Sequence, residues 1–158
     1  MDKGHRYELQ LNWTGASQGP TANYMTYSRE YSVDIPGKPA FRGSADPAYR
    51  GDPALHNPED MLLAALSACH MLSYLALCTK ARIKVVSYQD AASGSMAEKA
   101  PHRIGFIEVV LRPRVAIAAG GDAAKAKALH EEAHELCFIA NSVNFPVRHE
   151  AEITIAAA

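Results

Sequence analysis

The chain lacks the charge imbalance that nucleic acids and anionic membranes select. Its 158 residues include 16 basic and 17 acidic side chains, which gives a formal net charge of −1 with histidine neutral. The first residues, MDKGHRYELQLNW, contain no apolar run of the kind found in a signal peptide. We therefore expect a cytoplasmic protein that binds neither nucleic acid nor a membrane.

Cysteine is also scarce, with three in the whole chain. A chain of this length can bury a core without a disulfide framework. In a reducing compartment, cysteines are more often buried, metal-bound or catalytic than paired in structural bridges. Internal repeats and low-complexity segments are missing as well. These absences predict a single domain over residues 1–158 whose cysteines need a chemical explanation.

The first third of the chain predicts strands and a loop. Alternating apolar and polar residues indicate a half-buried strand over residues 6–13. Residues 27–35 indicate a second strand, which carries Arg29. Residues 36–57 form a long loop punctuated by proline and glycine, and loops of this kind are often functional.

A long apolar helix is predicted to follow this loop. Asn57 suits the helix cap, Pro58 the first helical position, and Glu59 and Asp60 the positive end of the helix dipole. Residues 61–78 are almost continuously apolar and just long enough to span a membrane. The strand-rich flanks and a mean hydropathy of −0.15 favour a soluble domain instead. A helix that is apolar all round is then buried in a core or a subunit interface, and the interface is favoured in a domain this small.

The second half predicts further strands and one more helix. Strands are expected over residues 85–88 and 104–111, joined by a turn-prone stretch. Asp122 is expected to cap a helix over residues 123–140, and a strand over residues 147–155 closes the chain. The apolar stripe of the helix is expected to comprise Leu129, Ala133, Leu136 and Ala140. This order of elements predicts an α+β fold with mostly antiparallel sheet.

Only some of the cysteines can take part in thiol chemistry, which requires a thiolate stabilised by a cation or a helix dipole. Cys69 lies within the apolar helix, where a small core residue is the alternative interpretation. Cys78 falls on the opposite side of that helix, about 13 Å further along its axis, beyond the limit of about 7 Å between the Cα atoms of a disulfide. Cys137 lies on a different element that folding can bring close. Two-cysteine chemistry would therefore use Cys69 and Cys137.

Residues 130–134, His-Glu-Glu-Ala-His, match the H-E-x-x-H motif of zinc proteases. His130, His134 and Cys137 are spaced so that all three could face one ion. However, the flanks of this helix are rich in lysine and glutamate, and only a short strand follows it. We therefore interpret the two histidines as groups on the helix surface and expect neither a metal nor another cofactor. A zinc-binding protein or metallohydrolase is the alternative function.

Two segments resemble motifs of the OsmC/Ohr family, the osmotically inducible protein C and organic hydroperoxide resistance proteins. NPEDMLLAALSACHMLSYLALC, residues 57–78, resembles the opening N-P-E and the peroxidatic cysteine ten residues after its glutamate. ELCFIANSVNFPV, residues 135–147, resembles the motif of the second cysteine. The order of elements also matches, so the resemblance covers nearly the whole chain. It implies an OsmC-like fold with mostly antiparallel sheets around a long buried central helix, in an intertwined homodimer.

The resemblance also implies a reaction. Cys69 would reduce an organic hydroperoxide and become a sulfenic acid, and Cys137 would then condense with it to form a disulfide. A dithiol reductant, by analogy of the lipoyl type, would regenerate the thiols. A silent module that binds a lipophilic ligand is a further alternative on the same fold.

The family also places an arginine beside the thiolate and orients it with the glutamate of the motif. Glu59 matches that glutamate, and Arg29 is the best positional match for the arginine, with Arg42 and Arg50 as alternatives. On a straight helix Glu59 and Cys69 would be about 15 Å apart. The site would therefore need a break in the helix, an arginine that spans the gap, or a second subunit.

The sequence departs from the family in two places. His70 follows Cys69 where many relatives carry an aromatic residue, and Cys78 is an additional cysteine. Adjacent helical residues point about 100° apart, so His70 is interpreted as a core or interface residue rather than as a partner of the thiolate. These departures indicate an OsmC-like branch rather than the organic hydroperoxide reductases themselves.

Overall fold

The computed structural model describes residues 4–157, which form two compact units, one up to Leu62 and one from Leu63 on. The single domain over residues 1–158 stays a prediction, and its end residues 1–3 and 158 lie outside the described residues.

The first unit contains a small antiparallel sheet. Among its described residues the sheet has three strands, β1 (Gln10–Asn12), β2 (Tyr31–Asp34) and β3 (Phe41–Gly43), with β2 in the centre. Leu11 lies opposite Val33, which is buried, so the sheet packs around the middle of β2.

The strands of this unit are shorter than predicted. The prediction of a half-buried strand over residues 6–13 was wrong, because only Gln10–Asn12 pairs and all three residues are exposed. The register sets Gln10 opposite Asp34. If the pairing continued, Glu8 would lie opposite Pro36, which has no N–H to donate to a ladder. The second strand begins at Tyr31, so Arg29 precedes it rather than lying on it.

The loop over residues 36–57 is partly regular, since it holds β3 and a short 3-10 helix, Pro47–Tyr49. Helix α1 (Pro58–Lys80) then begins where the sequence predicted. The side chain of Asn57 accepts the N–H of Asp60 at 2.8 Å, and the Asp60 carboxylate accepts the N–H of Asn57 at 3.3 Å. This reciprocal cap confirms the predicted helix start.

Within the described residues, α1 is the one helix long and apolar enough to cross a membrane. Length and composition alone give that result, and the core helix of a soluble protein passes the same test. Residues at helical spacing along α1 are buried: Leu66, His70, Tyr74, Leu77 and Cys78.

The second unit contains two sheets and helix α2 (Ala123–Leu136). Its described residues form six strands: β4 (Val85–Asp90), β5 (Ser93–Ala100), β6 (Arg103–Leu111), β7 (Pro113–Ile117), β8 (Val147–His149) and β9 (Glu152–Ile155). The strand orders are β4-β7-β9 and β5-β6-β8. Pairs β4–β7 and β5–β6 are antiparallel, while β6–β8 and β7–β9 are parallel. The architecture is the predicted α+β fold with mostly antiparallel pairing.

Three predictions for this unit were wrong in detail. A strand, β5, stands where a turn was expected, and β7 was not predicted. The closing strand is divided into β8 and β9, which add to different sheets.

Helix α2 begins as predicted, since the Asp122 side chain accepts the N–H of Lys125 at 2.9 Å. It ends at Leu136 rather than near residue 140, because Cys137 adopts an extended conformation. The predicted apolar stripe was wrong at Leu136, which is 48% exposed, whereas Ala133 is buried and Leu129 packs against the core. The buried residues of α2 are Ala126, His130 and Ala133.

Candidate active site

Two thiols meet between α1 and α2. Cys69 lies midway along α1 and is partly exposed, whereas Cys137 ends α2 and is 1% exposed. The Cys69 thiol lies close enough to Cys137 to raise the pKa of the Cys137 thiol, and all three cysteines of the chain are free. The pair therefore combines a partly exposed cysteine with a buried one.

The surroundings of Cys137 keep it protonated. Burial, and to a smaller extent the neighbouring Cys69 thiol, raise its pKa to about 11. The N–H of Ala140, which donates to the Cys137 Sγ at 3.5 Å, acts in the opposite direction. At neutral pH Cys137 is thus a thiol rather than a thiolate, which makes it the less reactive of a pair unless it loses its proton.

Cys78 lies in a different environment. It is buried in the core cluster with Tyr74, Leu77 and Ile83. Burial raises the pKa of the Cys78 thiol, and the adjacent Tyr74 hydroxyl acts against that rise. Its position agrees with the expectation that Cys78 does not pair with Cys69.

Arg29 is held by the segment that precedes β2. Its guanidinium donates to the backbone carbonyls of Tyr24 and Tyr27 and lies over the ring of Tyr27, 3.7 Å from the centroid. It also lies 4.9 Å from the centroid of Tyr24. Within residues 4–62, no hydrogen bond or ion pair joins Arg29 to Glu59.

Glu59 lies in the first turn of α1 and is partly buried. Its charge acts on Tyr31, whose pKa is raised by burial and by the Glu59 carboxylate. The Tyr31 hydroxyl is buried without a hydrogen-bond partner. Because α1 runs unbroken from Pro58 to Lys80, a break in the helix does not bring Glu59 nearer to Cys69.

The two alternative arginines differ from Arg29. Arg42 forms an ion pair with Glu30 at 2.6 Å. Arg50 ends the short 3-10 helix in a left-handed conformation with φ of 66° and is exposed. Arg29 and Arg50 line the same surface recess of the first unit, whereas Arg42 is already neutralised by a carboxylate.

A buried histidine pair joins the two helices: His70 directly follows Cys69 on α1, and His130 precedes Cys137 by seven residues on α2. Nε2 of His70 on α1 and Nδ1 of His130 on α2 are 2.9 Å apart, and the two rings lie within 8° of parallel. Tyr74 stacks on His130 with ring centroids 3.8 Å apart, and His149 of β8 lies 5.4 Å from His70. Both paired histidines are fully buried.

This cluster corrects one expectation and confirms another. The interpretation of His130 as a surface group was wrong, whereas His70 is the core residue that was expected. The sequence did carry a signal, because Ala126, His130, Ala133 and Cys137 recur at helical spacing and form the buried side of α2.

Burial also makes both histidines poor bases. It lowers the pKa of His70 to about 4, with His149 and His134 contributing to the fall. It lowers the pKa of His130 to about 3, with His70 and His149 contributing. The pair is therefore neutral at physiological pH, and one ring donates the shared proton to the other.

The H-E-x-x-H segment does not form a metal centre here. Within residues 4–157, no group of three or more His, Cys, Asp or Glu side chains is arranged to hold an ion. His130 directs Nδ1 to His70 rather than into a cleft. The zinc alternative therefore has no support from the geometry of the described residues.

The fold and the paired thiols define an α+β protein with a candidate redox centre between two helices. A sequence model of the OsmC-like protein family matches residues 51–152, which include both thiols. The chain belongs to this OsmC-like family.

Solved structures agree with this assignment. An OsmC-like protein of unknown function from Vibrio cholerae is 31% identical, with a TM-score of 0.86 over 94% of this chain and 100% of its own. An organic hydroperoxide resistance protein from Elizabethkingia anophelis is 19% identical, with a TM-score of 0.70 over 99% of this chain and 100% of its own. The organic hydroperoxide resistance protein OhrB of Bacillus subtilis is 15% identical, with a TM-score of 0.60 over 95% of this chain and 98% of its own. At these low identities, the last two likenesses concern the fold alone. No curated protein matches the chain significantly.

Proposed function

We propose that this protein is a thiol-dependent peroxidase that reduces organic hydroperoxides, with Cys69 as the attacking thiol and Cys137 as the resolving thiol. The observation that carries the proposal is the contact between a partly exposed thiol on α1 and a fully buried one at the end of α2. Structural neighbours named organic hydroperoxide resistance proteins support the choice of substrate class.

The reaction proceeds in three balanced steps. The Cys69 thiolate attacks the outer oxygen of ROOH, the O–O bond breaks, and the alkoxide takes a proton to leave as ROH. Cys137 then attacks the sulfenic sulfur of Cys69, which forms the disulfide and releases water. An external dithiol, for which the lipoyl type is proposed, reduces the disulfide by exchange and leaves as its own disulfide.

Arg29 and Glu59 are proposed to complete the site. A guanidinium stabilises the Cys69 thiolate, and a carboxylate fixes the orientation of the guanidinium. Arg29 is favoured over Arg42 because Arg42 is already paired with Glu30.

A homodimer is proposed as the working form. Several large apolar side chains are exposed, among them Tyr7 (88%), Leu72 on α1 (62%) and Phe138 next to Cys137 (78%). Exposed apolar surface on this scale is typical of an interface. The same side chains would favour a hydroperoxide with a hydrocarbon tail, by about 0.8 kcal/mol per buried methylene. A cytoplasmic location and a single domain over residues 1–158 are part of the proposal.

The test uses reduced protein treated with one equivalent of cumene hydroperoxide, followed by thiol titration, intact mass and peptide mapping. We expect loss of two thiols and a Cys69–Cys137 disulfide, while Cys78 stays reduced. Cys69→Ser should abolish the reaction, and Cys137→Ser should stop at a sulfenic acid after one event. Cys78→Ala is the matched control and should react like the natural chain. Thiols that stay unchanged for minutes would refute the peroxidase and leave the ligand-binding module.

A further inference from the structure

The hydrogen bond between His70 and His130 joins the two helices that carry the thiols. His70 directly follows Cys69 on α1, and His130 precedes Cys137 by about two turns of α2. The 2.9 Å bond therefore connects α1, at the residue that follows Cys69, with α2, about 10 Å along its axis from Cys137.

The bond is a costly way to fill a core. Nδ1 of His70 and Nε2 of His130 have no hydrogen-bond partner among the described residues, and an unsatisfied buried polar atom is unfavourable. Apolar side chains of similar size would pack here without that cost. Apolar contact can form in several relative placements of the two helices, whereas a directional hydrogen bond forms in one.

The surrounding groups hold the two rings in place. Tyr74 stacks on His130, and His149 lies 5.4 Å from His70 and 5.9 Å from His130. His149 is itself held by Glu131, whose carboxylate lies 3.3 Å from its Nε2. Neither buried imidazole can turn without displacing an aromatic neighbour.

We propose that His70 and His130 are positioning residues, whose hydrogen bond sets the placement of α1 against α2 that brings Cys69 to Cys137. This inference depends on the proposed function, because disulfide formation is the step that the placement of the helices serves. The histidines are not assigned a part in the thiol chemistry or in substrate binding, because they act through the helices.

The tolerance of a disulfide explains why placement matters. Its Cα atoms must lie about 4.4 to 6.8 Å apart. Sliding one helix by a single residue moves a thiol by about 1.5 Å along the axis and turns it by about 100°. Such a shift would consume most of the permitted range and point the sulfur away. A fixed register is thus a condition for rapid closure.

The test measures how readily the two thiols pair in the absence of peroxide. Reduced protein is equilibrated at pH 7.5 with glutathione buffers of graded ratio, then alkylated, and the Cys69–Cys137 disulfide is quantified by peptide mass. Two protein thiols and one glutathione disulfide give one protein disulfide and two glutathione thiols, so the midpoint reports their effective concentration. His130→Leu should lower it by about tenfold, the factor for one buried hydrogen bond.

Two further variants separate placement from general loosening. In the double variant His70→Gln with His130→Asn, the amide groups fall near the two bonded ring nitrogens, so an effective concentration within about threefold of the natural chain is expected. Leu77→Ala opens a cavity in the core beneath the same helix and should leave the effective concentration of the thiols unchanged. An equal fall in Leu77→Ala and His130→Leu, or no fall in His130→Leu, would overturn the proposal.

A measurement on the natural chain covers the case in which His130→Leu does not fold. If the histidine bond favours the disulfide, the disulfide must favour the bond by the same factor. Long-range proton–nitrogen NMR of the two rings should show slower exchange of the shared N–H after oxidation by glutathione. Equal exchange in the two forms would also overturn the proposal. Because no peroxide is used, a failure of the peroxidase test leaves these outcomes intact.

Discussion

Acid should destabilise this protein earlier than its carboxyl groups alone would. His70 and His130 are fully buried, and their pKa values are about 4 and about 3 in the folded protein. Both return to about 6.5 in the unfolded chain. As the pH falls below about 6.5, the unfolded chain takes up two protons that the folded protein refuses, so stability is lost until the folded pKa values are reached.

The size of the effect follows from these values. At pH 5 each unfolded imidazole gains about 2 kcal/mol by protonation, while the folded pair gains almost nothing. The two together remove about 4 kcal/mol of the free energy of unfolding between pH 8 and pH 5. Domains of this size have about 5 to 15 kcal/mol in total, so the loss should be readily measured.

Urea unfolding at fixed protein concentration, under reducing conditions, measures the effect at pH 8, 7, 6 and 5. The natural chain should lose stability with a slope approaching two protons, whereas the double variant His70→Gln with His130→Asn should change by less than about 1 kcal/mol. His130→Asn alone should show about half the slope. A double variant that loses as much stability as the natural chain would refute the assignment to this pair.

Three further predictions concern the thiols, the arginine and the helix start. The pKa of Cys137 is raised to about 11, so the thiolate fraction rises with pH. Formation of the disulfide from oxidised Cys69 should therefore accelerate about tenfold per pH unit between pH 6 and 9, as followed by quenched-flow mass analysis. A flat profile would argue against thiolate attack by Cys137. Arg29→Lys keeps the charge but loses the planar fork, so kcat/KM for cumene hydroperoxide should fall by about tenfold or more, while Arg42→Lys stays within about twofold; the reverse order would transfer the role to Arg42. Asn57→Ala removes the cap of α1 and should cost about 1 kcal/mol in urea unfolding. Asn57→Ser retains a capping oxygen without setting a second carboxylate against Asp46 and should cost less.

Local signals allowed the helices to be predicted better than the strands. The caps at Asn57 and Asp122 depend on residues one turn away, and both helix starts are where the sequence placed them. Strand β5 forms because it pairs with β6. Its own turn-prone and charged residues do not indicate a strand, so the sequence predicted a turn there. The split of the closing strand between two sheets is set by partners far away in the sequence, which no local pattern records.

The candidate site shows the same division. Cys69 and Cys137 could be chosen because helix geometry excludes Cys78 and leaves a thiol on another element. His130 was misassigned because hydrophobicity favoured a stripe through Leu136, whereas the fold buries the stripe that ends at Cys137. An imidazole in a core is accepted only when a partner satisfies it, and that partner, His70, lies sixty positions earlier.

The histidine pair links stability to the chemistry proposed for the thiols. A core that replaced both imidazoles with leucines would resist acid better, because nothing in it would titrate, but it would permit several placements of α1 on α2. The disulfide tolerates few of them. Because the pair is neutral at physiological pH, no free energy of unfolding is lost to protonation there. The hydrogen bond still gives the two helices one register. Removal of the hydrogen bond by His130→Leu should therefore lower both the sensitivity to acid and the readiness of the thiols to pair. Amides that rebuild the bond without a titrating group should restore the readiness to pair but not the sensitivity to acid.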